Sequence, residues 1–167
     1  MLSQVHVHGA VQWEGGASVV RLHDTVLIQV PPDRVWAWLT DLPRHYREWH
    51  PAHLDCRYVR GNSLTTGAAL QVVEQLHGKP HSLKLHATVV VPNRLLRYTG
   101  RGFQGAFILE PAERGTCFTA ELELGIHLPV VGRLLDTVLR RLLAKRLTAF
   151  QVHMREEGQK LKELLET

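Results

Sequence analysis

The chain has 167 residues and a formal net charge of +4, with 44% apolar and 22% charged residues. That is ordinary globular composition for one domain with a substantial core, and it excludes a disordered or fibrous chain. The two cysteines, Cys56 and Cys117, lie far apart, which leaves no thiolate zinc knuckle and no disulfide framework.

Residues 1–17 are polar and end in Gly15-Gly16, and they read as a short arm or an added edge strand. Residues 18–167 read as one domain. There is no basic-then-apolar leader and no apolar run of membrane-spanning length, so a cytoplasmic protein is expected. Val20, Leu22, Asp24, Val26, Ile28 and Val30 share one parity, which predicts a strand over 19–30. Pro31-Pro32-Asp33 stops it and opens a helix carrying Val35, Trp36, Trp38 and Leu39, because proline is tolerated in a first helical turn. The two tryptophans read as packing residues. A second short helix is predicted from Pro43 to Glu48, before Trp49-His50-Pro51.

Strands are predicted near 53–60, 68–76, 82–91, 94–100, 103–111 and 116–126, with turns at Gly61-Asn62, Gly78-Lys79-Pro80, Pro92-Asn93 and Gly115. A long helix from Val131 to Leu165 follows, with its stripe at Leu135, Val138, Leu142, Phe150 and Leu161. The basic excess gathers there, at Arg133, Arg140, Arg141, Lys145, Arg146, Arg155, Lys160 and Lys162. It reads as the solvated back of an amphipathic helix, so no nucleic-acid partner is expected. The order of elements gives an α+β layered fold, a curved antiparallel sheet gripping one long helix, with a ligand cavity between them.

Several polar residues fall on core-facing positions. Phe150, His153, Glu157 and Leu161 follow one another at spacings of three, four and four, so they form one helix stripe. A carboxylate there is costly unless it is paired, protonated or bound to a metal. His and Glu one turn apart can hold one divalent cation; the alternative is a half-exposed ion pair. Glu74 shares the inward parity of Leu70, Val72 and Leu76, and would repel Glu157 unless a cation lay between them. Asp24 also has core parity, which points it to the cavity rim, with no visible partner. His86 takes the outward parity of its strand, opposite Leu83, Leu85, Ala87 and Val89, and His127 takes the outward parity of its own unless a bulge at Gly125 re-aims it. His77 and His81 flank a turn and read as loop residues.

The runs Ile28-Gln29-Val30-Pro31-Pro32-Asp33-Arg34-Val35-Trp36, Leu39-Thr40-Asp41-Leu42 and Tyr46-Arg47-Glu48-Trp49 resemble the START-like helix-grip superfamily of polyketide cyclases and lipid-transfer domains. The resemblance covers about residues 19–165. More narrowly, Trp49-His50-Pro51-Ala52-His53 and His153-Met154-Arg155-Glu156-Glu157 are similar to segments of the zinc-dependent diacetylphloroglucinol and phloretin hydrolases. That resemblance implies hydrolysis of a carbon–carbon bond in an acylated aromatic, with a metal held by His50, Glu74, His153 and Glu157. Zn²⁺ suits such a donor set, as do Fe²⁺ and Mn²⁺. His53, or else His127, is the expected proton-transfer group facing substrate, and His53 is the alternative to His50 as ligand. The rival reading is a metal-free binding or transfer protein for an apolar small molecule or lipid. A homodimer is left open.

Overall fold

The computed structural model describes residues 18–76, 78–126 and 133–167; of 18, 19, 76, 126 and 133–146 only the backbone is described. The arm 1–17, His77, His127 and the side chains of Leu135, Val138 and Leu142 therefore lie outside the described residues.

Strand β1 (Ser18–Ile28) leads into helices α1 (Pro32–Thr40) and α2 (Leu42–Trp49). Six strands follow: β2 (His53–Arg60), β3 (Ala69–Leu76), β4 (Lys79–Val91), β5 (Leu95–Gly100), β6 (Phe103–Ala112) and β7 (Gly115–Ile126). Helix α3 (Arg133–Glu166) closes the chain. Neighbouring strands pair antiparallel in one sheet, ordered β1-β7-β6-β5-β4-β3-β2. This is the expected α+β helix-grip architecture.

Local chemistry explains the element boundaries. Pro31 is extended, with φ −68° and ψ 158°, and its carbonyl accepts the Arg34 N–H at 3.0 Å to start α1. Val35, Trp36, Trp38 and Leu39 are buried by that helix, as their spacing predicts. Strand β1 ends at Ile28, two residues before the predicted stop, and its alternation holds: Val20, Leu22, Asp24, Val26 and Ile28 are buried. Gly115 opens β7 at φ +137°, a region that favours glycine, and a Cβ there would sit 2.1 Å from the Ile28 carbonyl oxygen.

Three readings of β4 need correction. It begins at Lys79 rather than 82, so Pro80 and His81 are strand residues facing Gln75 and Glu74. Pairing with β5 starts only at His86, so Pro80 has no second neighbour that would need its missing N–H. A register shift between Ala87 and Val89 then moves the inward parity, leaving Val89 exposed and Val90 half-buried.

Helix α3 lies against β1, the edge of the sheet. The Gln151 amide donates to the His23 carbonyl at 2.8 Å, and Lys162 Nζ donates to the Leu27 carbonyl at 2.6 Å. The Gln29 N–H donates to Glu166 at 2.6 Å. Asp24 is buried beneath this helix, 3.9 Å from Arg155 Nε, rather than on a cavity rim.

Candidate functional site

The sheet, α2 and α3 enclose a cavity of about 290 Å³. Its walls are mostly apolar: Trp49, Leu70, Val72, Leu85, Leu96, Phe103, Phe107, Leu122, Leu124 and Phe150 contribute. Tyr46, Glu74, Tyr98, His153 and Glu157 supply the polar lining, with Arg101 and Glu121. The inward parity of β3 carries Glu74 there, and the helical spacing of α3 carries His153 and Glu157.

Glu157 is the centre of the polar wall. Its Oε1 lies 2.9 Å from His53 Nε2 and 3.5 Å from His153 Nε2. Burial alone would raise its pKa, but the two imidazoles outweigh this and hold it down to about 2. Burial opposes the charging of His153; Glu157, with Glu74 and Glu156, raises its pKa above the ordinary 6.5 all the same. The wall thus carries a His153–Glu157 pair in which each group favours the charged form of the other. Trp49 donates its indole N–H to the Glu157 backbone carbonyl at 2.9 Å, which docks α2 on α3.

Glu74 has a partner of its own in this wall. Tyr46 donates its hydroxyl to Glu74 Oε1 at 2.5 Å, so a neutral donor satisfies the carboxylate. The expected like-charge conflict is thereby eased by a residue that sequence reasoning passed over.

Three histidines gather at this wall. Nitrogens of His50, His53 and His153 lie within 4.8 Å of one another, so the structure does gather them. His50 Nδ1, however, accepts the Ala52 N–H at 3.1 Å, which puts the proton of a neutral ring on Nε2, facing Glu156 at 3.1 Å. Burial lowers its pKa and favours that neutral form. Both nitrogens are engaged, so His50 fits a ligand role poorly. His53 is buried, and it does not line the cavity as a substrate-facing group would. Its ring stacks on Tyr46 at 4.1 Å, and its Nδ1–H donates to the Tyr46 carbonyl at 3.1 Å. Nε2 has no hydrogen-bond partner among the described residues, although Glu157 Oε1 lies 2.9 Å away. Of the proposed donors, those that fit a divalent ion are His53 Nε2, His153 Nε2 and Glu157. His127 lies outside the described residues, and His86 is exposed as its parity predicts.

Tyr98 is the other residue that sequence reasoning missed. It shares the parity of buried Leu96, and its partner in the register is Gly105.

A curved antiparallel sheet closed over a long helix, with a largely apolar cavity between them, defines a helix-grip domain built to enclose a small molecule. Residues 19–166 match the model of the polyketide cyclase / dehydrase and lipid transport family, and the chain belongs to that family. No curated protein matches it in sequence. Among solved structures it is similar to SA2116 of Staphylococcus aureus, a protein of unknown function, at 12% identity and TM-score 0.67, covering 89% of this chain and 96% of that one. It is similar to Ara h 8.0201 at 15% identity and TM-score 0.63, covering 89% and 98%. It also resembles the di-domain ARO/CYC protein BexL from the BE-7585A biosynthetic pathway, at 16% identity and TM-score 0.68, covering 89% of this chain and 50% of BexL. These likenesses show the fold.

Proposed function

We propose that the protein binds a small aromatic or otherwise apolar molecule in the cavity and orients it against the wall formed by Tyr46, Glu74, His153 and Glu157. The observation that carries this reading is the cavity itself, apolar on most sides and charged on one. Its volume lies at the small end of the roughly 300–1,000 Å³ usual for ligand pockets, which favours a compact ring system over a two-chain lipid. Burial of the ligand's apolar surface supplies affinity at about 25 cal/mol per Å². Family membership supports a small apolar ligand, and cyclase-type chemistry suits the same wall. His153, whose protonated form Glu157 favours, can give a proton to a ligand oxygen, and the Glu74 carboxylate can take one from a carbon or hydroxyl. Titration with the apolar fluorophore N-phenylnaphthylamine tests the reading. Saturable binding is expected, and Ala120→Trp, which fills the cavity, should abolish it. Binding that ignores this substitution would overturn the proposal.

A second reading, metal-dependent hydrolysis of an acylated aromatic, is favoured by the orphaned Nε2 of His53 beside Glu157. His53, His153 and Glu157 would hold the ion, and a bound Zn²⁺, Fe²⁺ or Mn²⁺ would supply Lewis acidity and acidify a water. Metal analysis of tag-free protein, with turnover of an acylphenol panel with and without chelator, separates the two readings. Metal-free protein that binds without turnover leaves the first standing alone.

A further inference from the structure

The chain has three tyrosines. Tyr46 donates to Glu74, and Tyr58 donates to the Thr40 carbonyl at 3.5 Å. Tyr98 lines the cavity, yet its hydroxyl makes no hydrogen bond among the described residues. The ring is half-buried against the cavity, so its hydroxyl is available to donate to a molecule that fills the space.

The position of the ring is fixed by what lies under it. Tyr98 pairs with Gly105 across β5 and β6, and a Cβ at 105 would come within 2.5 Å of the ring carbon and the hydroxyl oxygen. Glycine therefore lets the ring lie flat on the sheet, and Phe107 flanks it at 5.4 Å between centroids. Burial, together with the nearby carboxylates of Glu157 and Glu74, raises the phenol pKa, so the group is a donor and not a phenolate. The same carboxylates disfavour an anionic acceptor beside it. The partner that fits is a neutral oxygen acceptor, and a carbonyl oxygen is a strong one.

We propose that Tyr98 donates a hydrogen bond to a carbonyl oxygen of the bound ligand, which makes the ligand class an aromatic ketone or a related neutral carbonyl compound. This rests on the cavity being a ligand site. The residue positions and selects ligand, and Gly105 sets where the donor stands.

Two fluorescent probes test it with the full chain. Prodan carries an aryl ketone, and its emission moves to the red when the carbonyl accepts a hydrogen bond; N-phenylnaphthylamine has no carbonyl. Tyr98→Phe should weaken prodan binding about three- to tenfold, the worth of one neutral hydrogen bond. It should also shift the emission of bound prodan to the blue and leave N-phenylnaphthylamine affinity within about twofold. Gly105→Ala, which lifts the ring into the cavity, should weaken both probes. Equal prodan affinity and unchanged emission in Tyr98→Phe would overturn the inference while leaving the cavity reading intact. Failure of the native protein to bind N-phenylnaphthylamine would sink the cavity reading, and this inference with it.

Discussion

The hydroxyl of Tyr46 donates to Oε1 of Glu74 at 2.5 Å, joining α2 to β3 across the cavity wall. The same ring stacks on His53 at 4.1 Å, so one side chain steadies both a lining carboxylate and the buried imidazole behind it.

Removing that hydroxyl should be costly. Tyr46→Phe leaves the half-buried Glu74 carboxylate without its donor, and about 1–3 kcal/mol of stability should be lost. Adding Glu74→Leu should recover part of the loss, because the unpaired charge goes with it. Urea denaturation of the two single variants and the double variant measures the coupling. Strictly additive losses would show that the contact contributes nothing.

Glu157 ties stability to pH. Its pKa falls from the ordinary 4.5 to about 2, so its contribution is present above pH 4.5 and is lost as pH falls toward 2. The raised pKa of His153 adds a contribution that is complete below 6.5 and is lost as pH rises through the folded value. Glu157→Gln should therefore lower the melting temperature most between about pH 4.5 and 6.5, and the gap should close toward pH 2. A gap that does not vary with pH would rule out the ion pair.

If a divalent ion is bound, chelation should lower thermal stability by mass action. His53→Ala and His153→Ala should abolish binding, whereas His50→Ala should retain most of it, because His50 spends both nitrogens on Ala52 and Glu156. Metal content of the three purified variants decides this, and loss in His50→Ala alone would restore His50 as the ligand.

Asp24 should behave in the opposite sense to Glu157. Burial raises its pKa above 3.8, with Arg155 and His23 opposing, so the folded state prefers the neutral acid. That stabilising preference is complete below 3.8 and is lost as pH rises through the folded pKa. Asp24→Asn should accordingly raise the melting temperature at pH 7, with the gain shrinking as pH falls toward 3.8. A lowered melting temperature at pH 7 would mean that the Arg155 contact outweighs the burial.

Much of this was legible in the residues themselves. Alternation is local, so β1, β3 and β7 and the inward aim of Glu74 follow from parity alone. Helical spacing likewise places His153 and Glu157 on one stripe. Pairings between distant segments are a different matter. Tyr46 meets Glu74 across 28 positions. Gly105 receives the Tyr98 ring only in one strand register. Neither is encoded in a short window. What separates His50 from His53 in the metal reading is a single backbone N–H, that of Ala52, after a tight turn. The bulge beside Thr88 swapped Val89 and Val90 for the same reason: an inserted residue leaves no mark in a sequence of valines.

The hydrogen bonds from α3 to β1 have a consequence for self-association. A strand at the border of a sheet offers unpaired backbone groups on which a second chain can build. Here Gln151, Lys162 and Glu166 occupy such groups at His23, Leu27 and Gln29. The opposite border, β2, carries Asp55, Arg57 and Arg60, and Arg47 of α2 reaches Asp55 at 3.7 Å, so charge does the guarding there. Cutting the chain before Lys162 would strip two of the three seals from β1 and bare a template for fibre growth, with Leu27 already exposed on that strand.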